Sequence, residues 1–543
     1  MKLSSAIALI LAAAGGNAHA TTDAQLRDTV AQRLHGDRTG ACLAVAVVEK
    51  DHVARTFQCA DDKDAARIGP DAAFEIGSVS KTMTAALLAD LIRQGKGSLD
   101  DPLAAWLPEG TRVPDYQGQP ILLRHVVTHT SGLPALPSKL GAPSMDDPYA
   151  KLDEAALLAS LDDVTLKAAP GTTFEYSNFA SMVLSYAVAR RAGTDLETLL
   201  RQRLFEPLGM RGAHVNAAPA GIRSATGHTP NARPASAWHF ATDLAGVGGV
   251  RATLDDMVRY VQGELGATAT AITPALRLTQ QKVSDKPAMA MNWMLLPVGD
   301  RTVHLHEGGT GGFSSFVSFD IEKQRGVVIL SDTTWNSIGS LGSLGLHLVD
   351  ASFPLGKPRT VAVPDPTMLD ALAGEYELAG GMRMTLRRQG DALEIQAAGQ
   401  GAYAMGYDSA GDFYPLELDA VLRPQRTADG YAFTWMQMGG ATPAKRVDGA
   451  ARKPALVLDA AKLGEYEGEY PLVPGFSLTV KAAAGTLTVQ GTGQPALPVD
   501  AAAPDVFVAS AVGAEIRFER DAGGKVVALT LLQAGQQLRG ERK

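Results

Sequence analysis

Three short stretches carry residue types that can move an acyl group. The first is Glu75-Ile-Gly-Ser78-Val-Ser-Lys81-Thr-Met-Thr-Ala-Ala-Leu-Leu, where an apolar strand end meets a glycine and then a helix. Ser78 falls at the helix start, and Lys81, three residues on, shares its face. A helix N-terminus stabilises negative charge developing on the serine oxygen, and an amine whose charge is disfavoured by burial can take the serine proton. Alone, Ser-x-x-Lys recurs about twice by chance in a chain of this length, and it also reads as an exposed cap beside a solvated lysine.

The second stretch is Gly171-Thr-Thr-Phe-Glu-Tyr176-Ser-Asn178-Phe179, again a turn entering an apolar helix. A phenolate at Tyr176 near a lysine acts as general base and later returns the proton to the leaving group. The Asn178 amide can donate to a substrate carbonyl and accept from Lys81. Its plain alternative is a core tyrosine followed by a helix cap. The third stretch, His304-Leu-His306-Glu-Gly308-Gly309-Thr-Gly-Gly-Phe313, is a strand running into glycines that permit close backbone approach to a ligand. A carbonyl oxygen between the amides of Ser78 and Gly309 finds a two-donor oxyanion hole, and His306 can donate to a substrate carboxylate or relay a proton. A glycine-rich hairpin beside a surface histidine is the alternative.

These stretches need elements to hold them. Strands are expected at 42 to 48 and 53 to 59, then a helix from Ser78 and further helices at 153 to 161, 177 to 192 and 254 to 264. Strands return at 302 to 306, 313 to 320 and 325 to 331, so one sheet is completed by distant segments. With a turn centred on Lys50-Asp51, facing residues have numbers summing to about 101, and the chain's two cysteines, Cys42 and Cys59, satisfy that sum. They are cross-strand neighbours within disulfide reach, or else two buried free thiols.

After Ser352 the chain changes character. Residues 353–366 contain four prolines and read as a linker. Beyond it Leu372-Ala-Gly-Glu-Tyr376 recurs as Tyr466-Glu-Gly-Glu-Tyr470, Met382-Arg-Met-Thr-Leu386 as Phe476-Ser-Leu-Thr-Val480, and Phe433-Thr-Trp-Met-Gln437 as Leu529-Thr-Leu-Leu-Gln533. Two similar antiparallel β-barrel units are expected, at 367–450 and 456–543.

Hydrophobic residues make up 45% of the 543, charged residues 20%, and the net charge is −8. This is a globular composition with no basic face for nucleic acid. The start, with Lys2, an apolar run from Ala6 to Ala14 and Ala18-His19-Ala20, reads as a signal peptide over 1–20, cleaved near Ala20. A run that short does not span a bilayer, so release into the periplasm or outside a bacterium is expected, without a membrane anchor. Cys and His residues lack zinc-like spacing, so neither metal nor other cofactor is expected.

Taken together, Ser78-x-x-Lys81, Tyr176-x-Asn178 and His306-x-Gly308, in that order, resemble the penicillin-recognising serine hydrolases, which include class C β-lactamases, D,D-peptidases, D-aminopeptidases and esterases. The segments Leu123–Pro134 and Gly246–Met257 are also similar to that family. The resemblance implies an α/β (α+β) catalytic domain over 21–352, an antiparallel sheet flanked by helices, followed by two lipocalin-like barrels. It implies Ser78 as nucleophile, Lys81 and Tyr176 as proton carriers, the Ser78 and Gly309 amides as oxyanion hole, and Asn178, His306, Gly308 and Gly309 at the substrate. Where class C β-lactamases typically carry Lys-Thr-Gly this chain has His306-Glu-Gly308, a form similar to that of D,D-peptidases and D-aminopeptidases, so the fixed ammonium for a substrate carboxylate is missing. The leading expectation is a hydrolase of small D-alanyl-type peptides that also recognises β-lactams. A true β-lactamase, a carboxylesterase on the same residues and a penicillin-binding sensor are the alternatives. Oligomeric state is not legible.

Overall fold

The computed structural model describes residues 20–543, apart from 143–145, 230–232, 335–340, 448–457 and the short turn segments 380, 399, 418–419, 428–429, 438–439, 474–475, 484–485, 495, 510–513 and 534–535. The predicted signal segment therefore lies outside the described residues except for Ala20.

The catalytic half is built on one antiparallel sheet. Six of its eight strands are β1 (Cys42–Glu49), β2 (His52–Cys59), β3 (Met294–Val298), β4 (Arg301–Gly309), β5 (Ser314–Asp320) and β6 (Arg325–Ser331), in spatial order β2-β1-β6-β5-β4-β3, with the two-residue strands Ala288–Met289 and Ser284–Asp285 continuing beyond β3. N-terminal β1 thus pairs with C-terminal β6, Val45 opposite Ile329, which closes the sheet across most of this half. The run Cys42–Val48 is buried at every position because both faces of β1 are covered. Ala44, Ala46 and Val48 face the large core with helix α2 (Ser80–Arg93) and helix α4 (Leu254–Leu265). Leu43, Val45 and Val47 face a second core under helix α1 (Asp23–Leu34) and the helix Gly342–Val349. Pleating alone divides one apolar run between two cores. In the β1–β2 hairpin Cys42 is the register partner of Cys59, and the two form a disulfide.

The C-terminal half holds two eight-stranded antiparallel sheets of consecutive strands. The first, from Gly374–Leu378 to Gly440–Arg446, is a closed barrel. In the second, from Gly468–Val473 to Gln536–Glu541, the ends meet where the Lys543 amide donates to the Glu469 carbonyl at 2.9 Å. Repeated sequence yields repeated contacts. Asp365 and Asp459 each cap a short helix, the Tyr376 hydroxyl donates to the Leu372 carbonyl at 3.0 Å, and that of Tyr470 donates to the Tyr466 carbonyl at 2.9 Å.

The proline-rich stretch between the halves is pinned at its centre. Arg359 is buried and bonds Asp408 at 3.1 Å and Asp412 at 2.9 Å, while its amide donates to Asp37. Arg38 of the catalytic half reaches the same Asp408 at 3.1 Å and stacks on Tyr414. One ionic cluster, carrying residues from both halves and the connecting segment, thereby joins them. A second contact runs from the Arg233 guanidinium to the Glu417 carbonyl, 3.0 Å.

Candidate active site

Ser78 sits in a single 3-10 turn, Gly77–Val79, that feeds directly into α2. The turn forms because Gly77 adopts φ +51, the left-handed region, and because a side chain there would strike Gly309 N at 2.5 Å. On the other wall β3 pairs with β4 only as far as Leu305, leaving the edge of His306–Gly309 against the serine turn. A Cβ on Gly308 would lie 2.1 Å from the Ile76 carbonyl and 3.0 Å from Ser78 N. Glycine on both walls brings the Ser78 and Gly309 amides together. Ser315 of β5 locks the contact by donating to the Ile76 carbonyl, 2.7 Å.

Lys81 is 1% exposed, and its Nζ lies 2.8 Å from Ser78 Oγ, 2.9 Å from Asn178 Oδ1 and 2.8 Å from the Val247 carbonyl. Burial holds its pKa well below that of an ordinary lysine. A neutral amine has two hydrogens and one lone pair. Asn178 and Val247 only accept at these atoms, so in the neutral form they take both hydrogens and leave the lone pair for the Ser78 hydroxyl. The chain segment Gly246–Met257 supplies Val247, and α2 is tied to it again by Thr84 donating to the Gly246 carbonyl.

Tyr176 and Asn178 come from the turn entering helix α3 (Asn178–Ala192), capped by Ser177. Tyr176 is 39% exposed as a residue, while its hydroxyl end is enclosed beside Ser78. Burial of that end pushes the phenol upward, the Ser78 hydrogen bond offsetting it only in part. The resting group is thus a phenol.

His306 is 3% exposed, with Nδ1 2.7 Å from the Glu307 carbonyl. A carbonyl only accepts, so Nδ1 carries the hydrogen and Nε2 the lone pair. Burial and, next, the neighbouring Lys81 push its pKa down to about 3. The ring therefore meets a substrate as an uncharged imidazole near neutral pH.

Other residues of the site carry no motif in the sequence. Tyr149 takes a hydrogen bond from Asn178 Nδ2, 3.3 Å, and is pushed up to about 12 by burial. It packs on Phe240 and Trp238, whose amide donates to Glu75. Asn292 donates to the Lys81 carbonyl, 3.0 Å. His129 stacks on Tyr176 with centroids 4.2 Å apart. His129 and Val247 lie in segments already noted as family-like, but no spacing rule assigns them a role. A cavity of about 820 Å3 lined by Arg38, Gln58, Cys59, Arg67 and His228 includes none of the site residues. No group of three or more His, Cys, Asp or Glu able to hold a metal occurs among the described residues.

The family model described as Beta-lactamase matches residues 26–336, more than half of the chain. The chain belongs to the beta-lactamase family. It is similar to the D-alanyl-D-alanine-carboxypeptidase/endopeptidase AmpH of Escherichia coli (strain K12), 29% identical over 277 residues that cover 48% of this chain and 71% of the relative. A beta-lactamase of the same strain is 28% identical over 301 residues, 48% of this chain and 76% of its own length. The crystal structure of a class C beta lactamase shares the fold, with a TM-score of 0.51 at 20% identity, over 61% of this chain and 98% of that one. The protein is accordingly a serine hydrolase of the beta-lactamase and D-alanyl-D-alanine carboxypeptidase type, working through an acyl-enzyme. Among the described residues no helix is long and apolar enough to cross a membrane.

Proposed function

We propose that the protein is an exported hydrolase that cleaves the amide of a D-alanyl-type peptide or a β-lactam through acylation of Ser78. The observation carrying this is the buried Lys81 Nζ 2.8 Å from Ser78 Oγ. Lys81 takes the hydroxyl proton as Ser78 Oγ attacks the carbonyl. The Ser78 and Gly309 amides take the developing oxyanion. Tyr176, a phenol beside Ser78, gives its proton to the departing nitrogen and is reprotonated from Lys81. Asn178 donates to the substrate through Nδ2 while its oxygen holds Lys81. Water then attacks the acyl-enzyme by the reverse path and frees Ser78.

His306 replaces a fixed ammonium and is neutral, which weakens the hold on a substrate carboxylate, of a β-lactam and of a D-alanyl peptide alike. That neutrality also supports a second reading, an esterase whose substrate carries no carboxylate near His306. Steady-state assays with nitrocefin, a D-alanyl dipeptide, a D-amino-acid amide and a p-nitrophenyl ester separate the readings. Ser78→Ala should abolish all turnover, and mass spectrometry after treatment with a penicillin should place the adduct on Ser78. An adduct on another serine, or more than a few per cent residual activity, would sink the assignment.

A further inference from the structure

The loop 129–135 runs alongside 171–179 and grips it through backbone. The Thr130 carbonyl accepts from Gly171 N at 2.7 Å, and the Ala135 carbonyl accepts from Asn178 N at 3.0 Å and from Phe179 N at 3.1 Å. The Ser177 hydroxyl donates to the Pro134 carbonyl at 2.6 Å. Tyr176 lies inside this grip, and one residue touches it from three sides. The His129 carbonyl accepts from the amide of Glu175, just before Tyr176, at 2.8 Å. Its ring Nδ1 accepts from the amide of Ser177, just after Tyr176, at 3.3 Å. The ring then covers that of Tyr176, with centroids 4.2 Å apart and planes 29° from parallel.

His129 is fully buried and holds φ +53, a left-handed conformation uncommon outside glycine. That turn lets a single residue aim its carbonyl and its ring at the same neighbour. Because Nδ1 must accept, the hydrogen sits on Nε2, which has no partner among the described residues. A buried donor left unpaired is costly, so packing for stability alone does not account for a histidine here. A phenylalanine would stack as well without an orphaned N–H, but it could not accept from Ser177.

We propose that His129 is a positioning residue for Tyr176: its carbonyl, its Nδ1 and its ring face together fix the phenol against Ser78. The proposal rests on the role of Tyr176 given above. The enclosed loop leaves the phenol one orientation, so its proton need not be found by rotation when the leaving nitrogen departs.

A double-mutant cycle tests this, with kcat and KM measured separately on two amides, nitrocefin and D-alanine p-nitroanilide. His129→Phe keeps the stack and removes the acceptor. It should lower kcat about tenfold with KM within about twofold, since the phenol acts in the transition state and not in binding. His129→Asn keeps an acceptor near Nδ1 and tolerates the positive φ, so it should lose less. In a Tyr176→Phe background either substitution should change kcat by less than about twofold. The same loss in both backgrounds, or unchanged kcat in both single variants, would overturn the proposal. If His129→Phe does not fold, His129→Ala, which removes both the stack and the acceptor, takes its place in the same cycle. Failure of the underlying role looks different, because Tyr176→Phe alone would then keep the wild-type kcat.

Discussion

Lys81 Nζ stands 2.8 Å from Ser78 Oγ in a shell that leaves the lysine 1% exposed, so distance and desolvation act on the same proton. Depth of burial makes the amine a base, and the spacing of three along the helix gives it something to deprotonate.

The first prediction follows from the depressed Lys81 pKa. The neutral amine is the active form, so kcat/KM should fall as pH drops through the Lys81 titration, with a midpoint well below that of ordinary lysine. Lys81→Arg should lose about 10² to 10⁴ in kcat, because a guanidinium cannot surrender its proton at working pH. A wild-type profile still rising beyond pH 10 would show an ordinary lysine.

Tyr176 should matter in proportion to how badly the leaving group needs a proton. Tyr176→Phe should cost about tenfold or more on amides and far less on a p-nitrophenyl ester, whose leaving oxygen departs readily as an anion. Parallel kcat measurements on one substrate of each kind decide it. Equal losses on both would place Tyr176 in the attack step instead.

With its pKa at about 3, His306 should contribute no titration between pH 5 and 9. Carboxylate-bearing and neutral substrates should therefore show parallel kcat/KM profiles in wild type. His306→Lys adds a charge and should favour the carboxylate substrate selectively. Profiles that diverge in wild type near pH 6.5 would show that His306 titrates normally.

Glu264 of α4 is buried, takes a hydrogen bond from Gln280 at 2.7 Å, and is raised by burial from 4.5 to about 8. A carboxyl raised in the folded state keeps its full stability below the unfolded pKa and loses it as pH climbs. Wild type should lose up to about 1.4 kcal/mol per pH unit across that window from this group. Glu264→Gln should abolish the loss, so the variant's Tm should rise relative to that of wild type from pH 5 to 8. A constant gap would mean that Glu264 ionises normally.

Asp408 accepts from both Arg38 and Arg359 and is fully buried. Asp408→Asn leaves two buried guanidiniums short of charge, and removing one member of such a cluster typically costs about 3 to 5 kcal/mol. Calorimetry should show a lowered transition for the joined halves. An unchanged trace would mean that the halves are held together by other contacts.

Much of the architecture is legible where short-range geometry dictates it. Helical spacing puts Ser78 and Lys81 on one face, hairpin arithmetic pairs Cys42 with Cys59, and alternation with a repeat near 94 residues marks the tail. The proline-rich stretch 353–366 reads as a linker by composition, yet Arg359 anchors it, because ion pairs with Asp408 and Asp412 depend on partners some 50 residues away. Charge states are illegible for the same reason. Whether Lys81 is an amine depends on Val247 and Asn178 closing over it, and whether His306 is neutral depends on the depth of its strand edge. His129 carries no motif of its own, since its bearing on Tyr176 arises only when two loops lie side by side. Spacing along the chain determines which side chains share an element; desolvation is set by atoms from every element packed around them, so only the tertiary structure decided what those side chains can do.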